Sequence, residues 1–144
     1  MCCDILIAEH STQLCLPEIK LGVFPGDGGT IRVTRRIGEG RAKEIMYLGD
    51  PIDSQTALAW GLVNRIVADG KAVEGAMDLA KQIASRPNRA LQICKQAVDL
   101  SLELPEEEAL NQILRMLEEA FATQDCQEGI RAFFAKRPPQ FTHS

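Results

Sequence analysis

The sequence predicts an α/β fold in which a strand-and-turn segment, residues 1–68, is followed by a helical one, residues 69–144. Three observations carry this. An apolar, partly β-branched run opens the chain at residues 2–8, and glycines and prolines crowd residues 17–30. From residue 71 onward, apolar residues recur at helical spacing almost without a break.

The elements follow in order. Residues 2–8, Cys-Cys-Asp-Ile-Leu-Ile-Ala, suit a strand buried on both faces, although nothing before them supplies a partner. Residues 12–16 suit a second short strand that Pro17 ends, and residues 22–29 are too rich in glycine for a regular element. Thr30 opens a short helix carrying Ile31, Val33 and Ile37, closed by Gly38, and a second helix covers residues 41–48. Gly49-Asp50-Pro51 is a turn. Ser54 is the expected N-cap of a helix over residues 55–60, which Gly61 stops, and residues 62–67 read as a strand. Helices over residues 73–85, 88–102, 106–123 and 126–135 complete the chain, with Pro87 and Pro105 at positions that start helices. The stripe Ala109, Leu110, Ile113, Leu114 and Leu117 reads as core; so much helix on a small core also offers a face to another subunit.

At 144 residues the chain fits one domain, which at this size buries about 68–70% of the surface its unfolded form exposes. Apolar residues make up 45% and charged residues 25%, which excludes a mainly disordered or fibrous protein. The net charge of -4, with basic residues dispersed except around Arg32–Arg36, excludes nucleic acid as a general partner. Asp4, Glu9, Lys20 and Arg32 interrupt the apolar runs before a membrane span accumulates, and the first residues lack the basic and small-residue regions of a secretory signal. Five cysteines, an odd number with Cys2 and Cys3 adjacent, lack zinc spacing, so the expectation is reduced thiols, no metal and a cytoplasmic protein.

The stretch L-P-E-I-K-L-G-V-F-P-G-D-G-G-T, residues 16–30, concentrates the chemistry. Its glycines could cradle an anion through backbone N–H groups, but no lysine follows Gly29 and the spacing fits neither phosphate-loop nor dinucleotide pattern. A structural loop is the plainer reading. Pro17 would hold Glu18 on an extended, stiff segment, and Gly26 and Gly28 would let backbone approach a ligand around Asp27 at the loop tip. Alone, Glu18 reads as a strand-end carboxylate and Asp27 as a loop-capping acid bonded to nearby amides. The only imidazoles, His10 and His143, stand near no nucleophile motif. General acid–base work by carboxylates is the chemistry left open.

Taken in order, these blocks resemble the enoyl-CoA hydratase/isomerase, or crotonase, superfamily. They are C-D-I-x-x-A at residues 3–8, P-E-I-x-L-G-x-x-P-G-x-G-G-T at residues 17–30, and the basic helix with Arg32 and Arg35. An L-G-D-x-I block at residues 48–67 and an F-A-T-x-D-x-x-E-G-I segment beginning at Phe121 complete the series. The resemblance implies the C-terminal part of a crotonase-like spiral core of ββα turns, followed by a helical trimerisation region, within a protein about twice as long. The missing first half would supply a glutamate and the glycine-rich oxyanion turn.

The resemblance also implies roles. Glu18 matches the second of the hydratase's two catalytic glutamates, and the Gly26 N–H matches the group that helps hold the reacting water. Pro17, Val23, Phe24 and Pro25 would line the acyl pocket, and Lys136 would contact the coenzyme A portion of an acyl-CoA thioester. Coenzyme A is then part of the substrate, and no separate cofactor is implied. The assembly implied is a trimer or a dimer of trimers, in the cytoplasm or, in a eukaryote, the mitochondrial matrix. Asp27 departs from the small residue of many hydratases. Superfamily isomerases and a dehalogenase place a catalytic carboxylate at or beside this loop position, which keeps isomerase or CoA-thioester hydrolase chemistry open. A non-catalytic association module is the remaining alternative. With one glutamate and no oxyanion donors, these residues alone are expected to be nearly inactive, and an open strand edge makes them poorly soluble.

Overall fold

A computed structural model describes residues 1–142; His143, one of the two imidazoles, lies outside the described residues. The chain packs as two compact units, Met1–Asp78 and Leu79 onward.

The first unit contains four short strands, β1 (Ile7–Glu9), β2 (Gln13–Leu14), β3 (Ile52–Asp53) and β4 (Arg65–Val67), with helices α1 (Gly29–Ile37), α2 (Glu39–Leu48) and α3 (Ser54–Trp60). A 3-10 turn spans Pro17–Leu21, and α4 (Ala72–Ala84) begins in this unit. The opening strand is shorter than its apolar run. Residues 2–5 are exposed and carry no strand, because β1 finds a partner only where β4 reaches it: Ile7 opposite Arg65, Ala8 opposite Ile66 and Glu9 opposite Val67, in parallel. Asn64 fixes the register from both sides, its Oδ1 accepting from the Leu6 N–H at 2.8 Å and its own N–H donating to the Leu6 carbonyl at 2.8 Å. Among the described residues no strand covers the other edge of β1.

Two further expectations are corrected. The strand expected over residues 62–67 is confined to its last three residues, because Leu62 and Val63 both donate to the Ala57 carbonyl and fold back under α3. Gly61, at φ 81°, makes that reversal and allows Leu62 to be fully buried. Asp53, not Ser54, caps α3: its Oδ1 accepts from the Thr56 N–H at 2.7 Å, which lowers the pKa of the Asp53 carboxyl. Ser54 is the first helical residue, buried, with its hydroxyl donating to the His10 carbonyl at 2.9 Å. β3 has no legible pattern; its two residues pair antiparallel with β2.

The core gathers Ala8, Val33, Ile37, Ala42, Ile45, Met46, Ala57, Leu62 and Val63, so α1, α2 and α3 pack with β1 around one apolar centre. Leu14, Leu16 and Trp60 pack against it. Leu16 thereby anchors the chain immediately before Pro17 and Glu18.

The second unit holds the rest of α4 and α5 (Asn88–Glu103), α6 (Glu106–Phe121) and α7 (Gln124–Phe134), close to the helical expectation. Thr123 caps α7 by accepting from the Cys126 N–H at 3.1 Å. Beyond α7 the chain folds back along it. Arg137 grips Glu128 through Nη1 at 2.6 Å and Nη2 at 2.9 Å, and the Gln140 N–H reaches the same carboxylate at 3.0 Å. The Arg137 hydrogen bonds, then that of Gln140, lower the Glu128 pKa from 4.5 to about 2. A carboxyl with a depressed folded-state pKa binds fewer protons folded than unfolded, so its contribution is complete above pH 4.5 and is lost as pH falls through about 2. Melting of this unit, followed by circular dichroism between pH 5 and pH 2, is therefore expected to shift downward with acid, and Glu128→Gln is expected to flatten that dependence. An equally steep dependence in the variant would remove Glu128 as its source.

Candidate active site

The stretch from Leu16 to Thr30 is fastened at several points. Its first part is a 3-10 turn rather than the extended segment expected, because the fixed φ of proline suits the first position of a helical turn as well as it suits a strand end. Gly22, at φ 77°, closes the turn by donating to the Ile19 carbonyl, and Val23 donates to the Glu18 carbonyl at 3.3 Å. Both neighbours of Glu18's turn are held. On one side Leu16 packs into the core; on the other the Ile19 Cγ2 lies 3.1 Å from where a Cβ on Gly49 would stand, and Lys20 bonds Asp50 at 2.6 Å. The buried Gly49 is also left-handed, at φ 62°, so it alone allows both the end of α2 and the close approach of the turn.

Glu18 is half-buried, and its Oε2 is enclosed with no hydrogen-bond donor reaching it. Native structures seldom leave a buried carboxylate oxygen unmet, since an unsatisfied buried polar atom costs about 1–3 kcal/mol. Such an atom adds nothing to stability, which makes Glu18 a candidate site residue. Close by in sequence, Leu21, Val23 and Phe24 are exposed, Phe24 at 71% and Leu21 at 80%, which is an unusual concentration of apolar surface on one loop.

The second part of the stretch is the glycine loop. Pro25 is buried, and its carbonyl accepts from Thr30 twice, from the hydroxyl at 2.5 Å and from the N–H at 3.3 Å. The Gly28 N–H donates to the Gly26 carbonyl at 2.8 Å, and Gly28, at φ 84°, caps α1. A Cβ on Gly29 would stand 3.1 Å from the Pro25 Cβ and 3.5 Å from the Leu16 Cδ2, so the start of the loop and the residue before Pro17 meet on one glycine. The Asp27 side chain is exposed and caps no amide, contrary to expectation; its backbone carbonyl instead accepts from Arg32 Nη1 at 3.2 Å. Thr30 and Arg32 thus hold this loop, a role that the sequence signals only in the placing of a hydroxyl and a guanidinium in the first turn after the glycines.

Lys136 belongs to the second unit. It is exposed and left-handed, at φ 51°, the one described non-glycine residue with positive φ. An open depression of about 420 Å³ in that unit is lined by Pro105 and by α6 residues including Glu107, Glu108 and Arg115, and it contains no nucleophile–base pair. Among the described residues, no group of His, Cys, Asp and Glu could hold a metal ion and no helix is long and apolar enough to cross a membrane.

Comparison with known proteins identifies the family. The profile of the family described as enoyl-CoA hydratase/isomerase matches residues 1–144. A probable enoyl-CoA hydratase of Rhizobium meliloti is 41% identical over 143 residues, which is 99% of this chain and 56% of that protein. The 2,3-dehydroadipyl-CoA hydratase of Escherichia coli is 37% identical over 139 residues, 96% of this chain and 54% of the relative. The crystal structure of enoyl-CoA hydratase from Bacillus anthracis superposes with a TM-score of 0.91 at 37% identity, covering 99% of this chain and 55% of that one. The fold is the mixed α/β, mostly helical crotonase-like fold with small sheets. The chain spans about half the length of the relatives it matches, and it belongs to the enoyl-CoA hydratase/isomerase family.

Proposed function

We propose that these residues form the C-terminal half of an enoyl-CoA hydratase, which adds water in syn fashion across the double bond of a 2-enoyl-CoA thioester. Residues 1–68 are assigned half of the active site and residues 69–144 a helical association region. The observation that carries the reading is the Glu18 carboxylate, fastened on both sides and left with one buried oxygen that no protein donor meets.

The chemistry explains why such an oxygen is wanted. As the water oxygen bonds C3, it must lose a proton, while C2 must gain one and negative charge must be stabilised on the thioester oxygen. Glu18 is assigned acid–base work on that water, and the Gly26 N–H is assigned to hold it. Pro17, Val23, Phe24 and Pro25 are assigned the acyl chain, which accounts for the exposure of Val23 and Phe24. The second glutamate and the oxyanion donors are assigned to a segment outside these residues. Two carboxyls sharing one pocket can be held in opposite protonation states, as acid–base work of this kind requires. Lys136 is assigned to the coenzyme A moiety. Exposed Leu110, Leu114, Leu117 and Phe121 along α6 support assembly into a trimer or a dimer of trimers.

Asp27 supports a second reading, because its carboxylate is exposed and free of any hydrogen bond to the described residues. In that reading it serves as base or nucleophile in an isomerase or a CoA-thioester hydrolase. The two are separated by offering 2-enoyl-CoA, 3-enoyl-CoA and saturated acyl-CoA to this chain paired with the N-terminal half of a full-length relative. Hydration is expected to dominate, and Asp27→Ala is expected to change its kcat less than about threefold, as for a solvated loop acid. Dominant isomerisation or hydrolysis that Asp27→Asn abolishes would replace the hydratase reading.

A further inference from the structure

We infer that Arg32 is a positioning residue, holding the glycine loop in the conformation that presents the Gly26 N–H. The inference rests on the hydratase reading for what that N–H does, but the loop geometry stands without it. Gly26 sits between Pro25, which is fixed by Thr30, and the Asp27–Gly28 segment. Besides the bond between Gly28 and Gly26 themselves and the Arg32 backbone N–H, which donates to the Gly28 carbonyl at 3.0 Å, the Arg32 side chain is what holds that second side. Its Nη1 donates to the Asp27 carbonyl at 3.2 Å. The guanidinium also lies over Gly28: a Cβ on that residue would stand 2.9 Å from the Arg32 Cζ, and Nη1 fills the place it needs.

The left-handed φ of 84° requires glycine at 28, and the bare backbone there leaves room for the guanidinium to pack on it. The same contact explains why arginine suits position 32. A planar fork can lie over a bare backbone and donate to the carbonyl beside it, whereas a lysine ammonium is a point donor that leaves the space above Gly28 empty. Arg32 itself springs from the first turn of α1, whose Val33 and Ile37 are buried, so the arm that holds the loop starts from the core. Catalytic donors need placing to within about 0.5 Å, and loops reach that only when neighbouring groups lock them.

The test reads the loop and the reaction separately. Amide exchange at residues 26–28 is measured in this chain and in Arg32→Ala and Arg32→Lys, together with melting. Crotonyl-CoA hydration is measured for the same chains paired with an N-terminal half from a full-length relative. Arg32→Ala is expected to speed exchange of the Gly28 amide about tenfold and to leave melting nearly unchanged, since the side chain is exposed. It should lower kcat by about tenfold to a hundredfold, the hundredfold limit being what a 1 Å misplacement costs, with KM changed less than about threefold. Ethylguanidinium in solution should restore part of that kcat, and Arg32→Lys should not restore it fully. Unchanged exchange in Arg32→Ala, or a loosened loop with unchanged kcat, overturns the positioning role. A paired wild-type protein without hydratase activity overturns the hydratase reading and, with it, the role of Arg32 in catalysis, while faster exchange would still report the loop contact.

Discussion

Glu18→Gln, in this chain paired with an N-terminal half, is expected to lower kcat for crotonyl-CoA hydration by about 10²–10⁴, the range that positioned proton transfer contributes. The carboxamide keeps the shape of the side chain and cannot exchange a proton with the nucleophile at neutral pH. Stability should hardly move. The carboxamide still places a polar atom where the Glu18 Oε2 is buried without a donor, so the substitution is expected to leave the melting temperature nearly unchanged. Loss of kcat with a nearly unchanged melting temperature is therefore the joint result that identifies a catalytic group. Retention of more than half the activity would remove Glu18 from the chemistry, and loss of activity with a collapsed melting transition would make it a structural residue.

Much of this was legible in the sequence, for reasons that differ by element. Helices α4 to α7 show in their apolar period, which depends little on distant partners, but the stripe expected as core is buried only at Ala109, with Leu110, Leu114 and Leu117 exposed. The strands were the weak point. A strand exists only where a partner reaches it, so the apolar run at residues 2–8 promised more than the three residues that β4 pairs, and β3 gave no signal at all. Asp53 and Ser54 are both capping types in sequence, and burial decides between them by placing the Ser54 hydroxyl against the His10 carbonyl.

The candidate site divides in the same way. Pro17, Glu18, Gly26 and Asp27 stand out as residue types, but their fastening does not. That Leu16 and Pro25 meet on Gly29, and that Ile19 and Lys20 are tied beside Gly49, are facts of tertiary packing. The 3-10 conformation at Glu18 is not legible in the sequence because proline is compatible with both an extended segment and a helical start, and Gly22 and the bonds that close the turn decide between them. Asp27 shows the reverse: the local rule that a loop acid caps nearby amides does not hold, since its side chain is exposed and only its backbone carbonyl is engaged, by Arg32.

The proposed division of the site has the largest consequence for rate. If the oxyanion donors and the second glutamate come from another segment, this chain alone lacks groups of which a single oxyanion donor typically contributes about 10²–10³. The proposed surfaces bear on solution behaviour too, since the open edge of β1 and the exposed Leu21, Val23 and Phe24 would be covered by the complementary half. The most direct measurement is the loss of crotonyl-CoA enone absorbance with this chain alone, with an N-terminal half alone, and with the two mixed. The half-site account predicts no hydration above background by either part and restored hydration in the mixture, abolished by Glu18→Gln. Hydration by the isolated 144 residues would contradict it.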